Sequence, residues 1–298
     1  MPVFFVLLIL FTAGIFLFNK YGLLGLFHGD LMSGIKPIAG GDSDFSKRFS
    51  DSKRINTLLL GTNQKLTDTI MLASFDTELK RVDLVSIPRD TYYERPNFQG
   101  AAYQKINSVY ASEGVVALAQ DVSDVLGGVP IHFYEIITDD GVAKIVDSMG
   151  GVEIDVPRRM KYNDPKQDLH IDLQKGVQVL DGAHAVQYLR YRKGYSNADL
   201  GRIEAQQEFM KEAFKQSIGL GFPKVARTVL REVESNMGGM MAARIGSRAI
   251  GMDGADITTY TIPGVPQTMH GSSYFMADRQ KTLDMMVQIY SMKAEESN

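Results

Sequence analysis

The first stretch of the chain is almost entirely apolar. Residues 2–18 (PVFFVLLILFTAGIFLF) carry no charge, and as a helix rising roughly 1.5 Å per residue they would extend about 26 Å, close to the thickness of a bilayer's hydrocarbon core. Apolar side chains between Lys20 and Phe27 lengthen the segment enough to complete the crossing. A cleaved signal peptide would need a basic start and a small-x-small cleavage site, and neither is present. The pattern predicts one transmembrane helix over residues 1–27.

A polar segment follows the apolar one. Residues 28–53 are rich in Gly, Ser and Asp and show no sustained apolar period, a composition typical of a linker. The sequence therefore predicts a flexible linker over residues 28–53 and a folded domain over residues 54–298.

From Arg54 onward, short apolar runs bounded by turn residues alternate with helical patterns. Apolar runs of about four to eight residues are typical of buried strands. They predict strands at 55–61, 69–75, 82–87, 131–137 and 152–156, with a tight connection at 76–80 between the second and the third.

Two segments show the helical spacing of apolar residues. The first, 107–126, stops at Gly127, and the second, 141–149, stops at Gly150; glycine is a common residue just past the end of a helix. Strands that alternate with helices indicate a sheet covered by helices. We therefore predict an α/β fold with a central mixed β-sheet flanked by helices, preceded by the transmembrane helix.

Composition narrows the chemistry. The formal net charge of −3 and the pI near 6.0 argue against a general nucleic-acid binder, which usually needs a basic face. The absence of cysteine excludes disulfides, thiolate metal ligands and a cysteine nucleophile. The histidines show no HExxH spacing, and the chain has neither a GxSxG elbow nor a Walker loop. Zinc hydrolases, serine hydrolases and P-loop NTPases are therefore set aside.

Two polar clusters lie beside predicted strands. Asp68 stands between Lys65 and the strand at 69–75, and Arg89 follows Pro88, where the strand at 82–87 ends. Ligand sites in α/β proteins tend to form at strand ends, so both clusters are candidates for a binding site. Each cluster taken alone also fits a turn with solvated charges.

A pair of arginines follows later in the chain. Arg190 and Arg192 are two residues apart, so in an extended strand both would point to one face, about 6.6 Å from each other. Guanidinium groups suit phosphate oxygens, and two of them suit a pyrophosphate. We therefore predict a strand that presents both arginines to an anion, with an exposed edge strand as the alternative.

The last cluster opens a predicted helix at Asp199. Arg202 and Gln206 are four residues apart and would form a polar ridge near the helix start, where free backbone amides also favour anions. An exposed helix surface is the alternative. We predict that Arg89, Arg190 and Arg202, with Arg192, converge on one anion site beside Asp68, because strand ends and a helix start can meet at the same edge of a sheet.

Together these segments resemble the LytR-CpsA-Psr family of cell-wall glycopolymer ligases. The resemblance is strong over residues 54–216 and weaker through residue 274. It depends on the strings DTIML, SIPRD, KIN, DGVAKIVDSMGGVEIDVP, GVQVLDGAHAVQYLRYR and DLGRIEAQQ, in this order.

The resemblance implies a role for each cluster. In this family arginines hold the pyrophosphate of a polyprenyl-linked glycan, an aspartate-bound Mg²⁺ offsets charge, and the lipid tail occupies a tunnel through the sheet-helix sandwich. By position it implies a catalytic set of Asp68, Arg89, Arg190, Arg192 and Arg202, and a supporting substrate-binding set of Lys65, Lys105, Asp199 and Gln206. It also implies that the tunnel is partly lined by Val109, Val116, Leu118, Val122 and Ile145.

Three positions depart from the family pattern. Leu66 stands where an arginine is usual two residues before Asp68, and Ala205 replaces a frequent arginine. Asn63 stands in place of a second metal carboxylate. The resemblance thus implies Asp68 as a Mg²⁺ ligand, and Asn63 can still offer a neutral oxygen as a second one, with a weaker affinity expected because Mg²⁺ prefers carboxylates.

The resemblance implies an enzyme that transfers a glycopolymer, with its linking phosphate, from a polyprenyl pyrophosphate carrier to peptidoglycan. The polymer, whether teichoic acid, capsule or another glycan, stays open. The expected location is the cell membrane, with a single span and the catalytic domain outside, and nucleic acid is not an expected partner. Two alternatives remain: a non-catalytic polyprenyl-phosphate-binding membrane regulator, and a hydrolase of the pyrophosphate lipid.

Overall fold

The structure is a computed structural model that describes residues 31–63, 66–165, 169–193, 198–217, 222–249, 252 and 254–292. The predicted transmembrane helix at 1–27 lies outside these residues. Within the described part of the chain, no helix is long and apolar enough to cross a bilayer.

The chain has a mixed α/β fold, as predicted. Its strands are β1 (Arg54–Asn63), β2 (Leu66–Asp76), β3 (Arg81–Ile87), β4 (Phe133–Thr138), β5 (Val152–Val156), β6 (Met160–Asp164), β7 (Leu169–Leu173), β8 (Gly176–Leu180), β9 (Val233–Ser235), β10 (Ile257–Thr261), β11 (Gly264–Met269) and β12 (Ser272–Ala277). Its α-helices are α1 (Asp44–Arg48), α2 (Val109–Val125), α3 (Asp139–Met149), α4 (Gly182–Arg190), α5 (Ala198–Ser217), α6 (Phe222–Glu232), α7 (Gly239–Arg248) and α8 (Arg279–Ser291).

The central sheet has six strands in the order β10-β3-β2-β1-β4-β9. β1 pairs antiparallel with β2, β2 pairs antiparallel with β3, and β10 pairs parallel with β3, so the sheet is mixed. Nearly every residue of β1 and β2 is buried, because these strands lie in the middle of the sheet and both of their faces are covered. The described residues also form three two-stranded pairs: β5-β8, β6-β7 and β11-β12.

Part of the segment predicted to be a linker is folded. Ser43 caps α1 by accepting a hydrogen bond from the Ser46 amide at 2.9 Å, and Phe45 is buried against the ring of Tyr290, with 4.8 Å between ring centroids. Further upstream, Ala39 forms a β-bridge with Ile131. The partners in this packing come from distant parts of the chain. The local sequence pattern therefore does not reveal that the segment is folded.

The chain divides into two compact units. We call residues 31–135, 235–237 and 255–292 the sheet unit, since it holds β1, β2, β3 and β10. We call residues 136–234 and 238–254 the helix-rich unit, since it holds α3 to α7.

Helix α2 of the sheet unit has a break near its start. Gly114 adopts φ 85° and ψ −179° inside the helix, a conformation essentially restricted to glycine. Residues 109–113 therefore form a separate first turn. After the break, Leu118 and Val122 are fully buried, whereas Val116 is 55% exposed. The lipid tunnel predicted along this helix stays a prediction.

Candidate functional site

Asp68 lies in a β-bulge near the start of β2. Gly61 of β1 faces Thr69 and Thr62 faces Thr67, so Asp68 is the extra residue between them. A bulge of this kind bends the strand and redirects a side chain. Thr67 and Thr69 are buried, whereas the Asp68 side chain keeps 19% of its surface exposed. The bulge therefore presents one carboxylate at the surface of a buried strand.

Arg89 forms an ion pair with this carboxylate. Pro88 ends β3 because proline cannot donate to the next ladder hydrogen bond, and Arg89 follows it directly. The Arg89 guanidinium donates from Nη1 to Asp68 Oδ1, and its Nε lies 3.9 Å from Asp90 Oδ2. Its side chain is 18% exposed. Arg89 is thus held between two carboxylates while part of it stays accessible.

Lys105 joins the group through Asp90. A β-bridge between Tyr92 and Lys105 brings the lysine back beside β3's end, where its Nζ donates to Asp90 Oδ1 at 3.0 Å. The same ammonium lies 5.6 Å from the centre of the Tyr274 ring, within range of a cation–π contact. Asp90 therefore hydrogen-bonds Lys105 and lies within ion-pair distance of Arg89.

These side chains border a cavity of about 790 Å³ within the sheet unit. Besides two cations, its wall offers hydroxyl and amide groups together with apolar surface. The lining residues are Leu66, Arg89, Asp90, Phe98, Ala102, Tyr103, Lys105, Asn107, Ser108, Ala111, Ser112 and Ser272. A cavity of this size with a few convergent polar groups is typical of a ligand site, and its cations favour an anionic ligand.

The predicted metal ligands fit Mg²⁺ only in part. Asn63 ends β1, where it faces Leu66 across the ladder, and it offers a neutral amide oxygen. Among the residues that the structure describes, no group of three or more His, Cys, Asp or Glu side chains could hold a metal ion. Mg²⁺ commonly binds through one or two carboxylates plus substrate phosphates. Asp68 alone therefore fits such a site when a substrate supplies phosphate oxygens. Lys65 lies outside the described residues.

The predicted strand through Arg190 and Arg192 is wrong. Residues 182–190 form helix α4, capped by Asp181, which accepts a hydrogen bond from the His184 amide at 2.9 Å. Ala185, Tyr188 and Leu189 are buried at helical spacing, and this burial outweighs the alternation that suggested a strand. Arg190 occupies the last turn, where the helix dipole favours a cation, and lies 3.5 Å from Asp139.

Helix α5 has the start that the sequence predicts, but its polar residues are buried. Arg202 is 3% exposed and Gln206 is 1% exposed, which contradicts an exposed helix surface at these positions. Gln206 donates from Nε2 to the Leu189 carbonyl at 3.1 Å, and this bond ties α5 to the end of α4. The side chain of Asp199 lies outside the described residues, although its backbone belongs to α5.

The structure groups the predicted residues by unit. Asp68, Arg89 and Lys105 are linked within the sheet unit by direct contacts, whereas Arg190, Arg192, Arg202 and Gln206 belong to the helix-rich unit. The convergence of all four arginines on one site stays a prediction. Sequence reasoning missed Asp90, Asp139 and the cavity residues Tyr103 and Ser112. Of these residues, only Asp90 could have been found from the sequence, because it directly follows Arg89.

Comparison with known proteins gives one consistent family. The LytR_cpsA_psr family model matches residues 37–290. The Polyisoprenyl-teichoic acid--peptidoglycan teichoic acid transferase TagU of Oceanobacillus iheyensis is 25% identical over 291 residues, which cover 93% of this chain and 88% of that protein.

Solved structures share the fold. Bacillus subtilis TagV superposes with a TM-score of 0.68 at 23% identity, over 80% of this chain and 97% of TagV. The structure of TagT bound to LIIa-WTA gives a TM-score of 0.64 at 22% identity, over 86% of this chain and 92% of TagT.

Proposed function

Because the chain belongs to the LytR_cpsA_psr family, we propose that it transfers a glycopolymer, together with its linking phosphate, from a polyprenyl pyrophosphate carrier to peptidoglycan. The relative TagU is named a teichoic acid transferase, and TagT has been solved with LIIa-WTA bound. Both support a polymer of the teichoic acid class as the substrate here.

The observation that supports this function most directly is Arg89 beside the cavity of the sheet unit. Asp68 accepts a hydrogen bond from its guanidinium and Asp90 lies within ion-pair distance of it, and Lys105 adds a second cation through Asp90. A pyrophosphate brings several negative oxygens, which a planar guanidinium can contact in pairs. Phosphoryl transfer depends mostly on positioning and charge neutralisation, and this arrangement supplies both.

In the proposed reaction a hydroxyl oxygen of peptidoglycan forms a new bond to the glycan-linked phosphorus. The bond from that phosphorus to the bridging oxygen breaks, and polyprenyl phosphate leaves with the electron pair while the hydroxyl proton is released. Arg89 and Lys105 stabilise the negative charge on the phosphate oxygens. Arg190, Arg192 and Arg202 are proposed to hold the same pyrophosphate, with Lys65, Asp199 and Gln206 in support.

Mg²⁺ is proposed as the cofactor, held by Asp68 and Asn63. When bound, the ion would withdraw negative charge from the pyrophosphate oxygens. Asn63→Asp is expected to tighten metal binding by adding a carboxylate. The proposed location is the outer face of the cell membrane, with residues 1–27 as the anchor.

The test is single-turnover transfer from a polyprenyl pyrophosphate glycan to peptidoglycan by the full chain. Arg89→Ala and Arg190→Ala are expected to slow transfer on the order of 100-fold, the usual effect of removing one charge-stabilising donor. Arg89→Lys should also lose activity because an ammonium cannot reproduce the planar fork. Asp68→Ala should lose activity and its Mg²⁺ dependence together.

The matched controls are Arg279→Ala in the sheet unit and Arg227→Ala in the helix-rich unit, both exposed arginines that belong neither to the predicted site nor to the cavity lining. Circular dichroism checks that each variant folds. Wild-type rates in folded Arg89→Ala and Arg190→Ala would contradict the site. A chain that binds polyprenyl phosphate without turnover would instead support the regulator, and release of the glycan into water would support the hydrolase.

A further inference from the structure

A second cavity, of about 610 Å³, lies in the helix-rich unit. It is bordered by β6, β7 and one face of α4. Its lining residues are Lys161, Tyr162, Asn163, His170, Ile171, Asp172, His184, Gln187 and Lys193. The function proposed above assigns no role to any of them.

The two sides of this cavity are fixed to each other. The Asp172 amide donates to Gln187 Oε1 at 2.9 Å, which ties the edge of β7 to α4. His184 lies one turn before Gln187 on the same helix face, and its Nδ1 donates to the Asp181 carboxylate at 2.7 Å. The wall is therefore built from side chains on regular elements, which hold a geometry better than loops do.

The cavity concentrates positive charge on a chain whose formal net charge is −3. Lys161 and Lys193 contribute two ammonium groups. The one acidic residue in the described lining is Asp172, and it forms an ion pair with Arg159. Its charge is thus offset by a neighbour, which leaves the two lysines to attract an anion.

The other lining groups suit a saccharide. Asn163, Gln187 and the histidines can donate and accept hydrogen bonds with hydroxyls. The Tyr162 ring offers an apolar face with a polar tip, and Lys193 Nζ lies 5.6 Å from its centre. The volume exceeds that of a single phosphate ion and is in the range of sites that hold a small organic ligand.

We infer that this cavity binds a saccharide chain that bears phosphate or carboxylate groups. The inference rests on the proposed function, which handles two such chains: the phosphate-bearing glycopolymer and the peptide-substituted acceptor. The cavity would bind one of these two chains through residues that are distant in sequence from Arg89. The length and the charge of the substrate chain would then be recognised separately from its pyrophosphate.

The test measures binding to the full chain in detergent by calorimetry. Three probes are compared: an oligosaccharide that carries glycerol phosphate units, a muropeptide with free carboxylates, and neutral chitotetraose. We expect the charged probes to bind more tightly than the neutral one and to weaken at high salt, since surface charges are screened. A stronger response to the phosphate-bearing oligosaccharide would identify the glycopolymer as the source, and a stronger response to the muropeptide would identify the acceptor.

The variant Lys161→Gln/Lys193→Gln is expected to lower the affinity for the charged probe by roughly five-fold or more, in line with the loss of two exposed charge contacts. Lys175→Gln, an exposed lysine outside the cavity, is the matched control and should bind like the wild type. Lys161→Arg/Lys193→Arg keeps both charges and should retain most of the affinity, which separates a charge effect from a folding defect.

Equal binding by the wild type and the double glutamine variant would overturn the inference, as would equal binding of the neutral probe. Transfer is measured in parallel. A chain that binds through Lys161 and Lys193 but transfers nothing would overturn the proposed function and keep this site. A chain that transfers the glycopolymer but binds the charged probes independently of both lysines would support the proposed function and overturn this site.

Discussion

At the scale of single residues, His132 is a buried base whose protonation opposes folding. It is 6% exposed, and its Nδ1 accepts a hydrogen bond from the Asn56 amide at 3.0 Å. Burial lowers the pKa of His132 from 6.5 to about 4, because the charged imidazolium would lose its hydration. The folded chain therefore keeps this side chain neutral at physiological pH.

The pKa of His132 predicts how stability changes with pH. As the pH falls, the unfolded chain takes up the proton near pH 6.5, before the folded chain does at about pH 4. The contribution of neutral His132 to the free energy of unfolding is therefore fully present above pH 6.5 and is lost as the pH falls from 6.5 to about 4. The loss amounts to about 3 kcal/mol. Urea unfolding at several pH values measures this loss.

The control for this prediction is His132→Asn, which keeps a hydrogen-bond acceptor but cannot titrate. Asp121 acts in the opposite direction over the same range, since burial raises its pKa to about 6 and its contribution to stability grows as the pH falls. The comparison of the variant with the wild type isolates the histidine. Parallel pH profiles for the two proteins would contradict the assignment.

Several site residues could be predicted from short motifs, and others could not. Asp68 and Arg89 stand at strand boundaries that the sequence marks with apolar runs and a proline, and they contact each other. Tyr103 lies in a short 3-10 turn without any period, and Ser112 is a polar position in the first turn of α2, so only the folded chain shows that they line a cavity. Arg190 belongs to a helix, although two positively charged residues two apart mimic the alternation of a strand.

At the scale of elements, Gly182 sets how closely α4 approaches α3. A Cβ atom at Gly182 would lie 2.2 Å from the Ala143 carbonyl oxygen, which is backbone and cannot move alone. Gly182→Ala is therefore expected to push the helices apart and to lower the free energy of unfolding by about 1–3 kcal/mol, the usual cost of overpacking. The shift of the urea midpoint measures it.

Gly239 provides the matched control. It also opens a helix, α7, but a Cβ atom there would meet nothing within 4 Å. Gly239→Ala should leave stability unchanged or raise it slightly, since alanine favours helix. Equal midpoints for the wild type and Gly182→Ala would show that the α3–α4 contact is not tight.

Elements with strong local patterns were predicted well, and elements defined by distant partners were not. The predicted strands at 55–61 and 82–87 and the helix at 141–149 correspond to β1, β3 and α3 within about two residues at each end. The pair β6-β7 and the parallel addition of β10 to β3 were not foreseen. Their strands are short and partly exposed, and their pairing depends on residues far away in sequence.

At the scale of the whole molecule, the apolar segment at 1–27 predicts where the folded part resides. We expect the domain after Lys36 to lie outside the cytoplasm, because large domains cross largely regardless of their charge. The basic residues Lys20 and Lys36 after the span would favour the opposite orientation under the positive-inside rule. A topology experiment therefore decides whether the folded domain lies outside the cytoplasm or inside it.

A reporter that is active only in the cytoplasm, fused after Asn298, is expected to give no signal. A second reporter, active only outside, should give a strong one. As a control for expression, both fusions are detected by immunoblot in the membrane fraction. A strong cytoplasmic signal would reverse the proposed topology and remove peptidoglycan as an accessible acceptor.

The general architecture was the most predictable feature of the molecule. Alternating strands and helices indicated a central mixed sheet with flanking helices, and the described residues have one. The division into a sheet unit and a helix-rich unit was not predicted, because the second unit is built largely from residues between β4 and β9, and no linker-like composition marks its borders.

The break at Gly114 makes the first turn of α2 structurally independent of the rest of the helix, so its sequence can be redesigned separately. Residues 109–113 include Ala111 and Ser112, which line the cavity beside Arg89, whereas the buried positions Leu118 and Val122 lie beyond the break. In an unbroken helix, a one-residue insertion in the first turn would rotate every later side chain by about 100°. Here the glycine separates the two registers, so residues 110–113 can be lengthened or reshaped for a different ligand, while Val109 before them and Leu118 and Val122 beyond the break keep their places in the core.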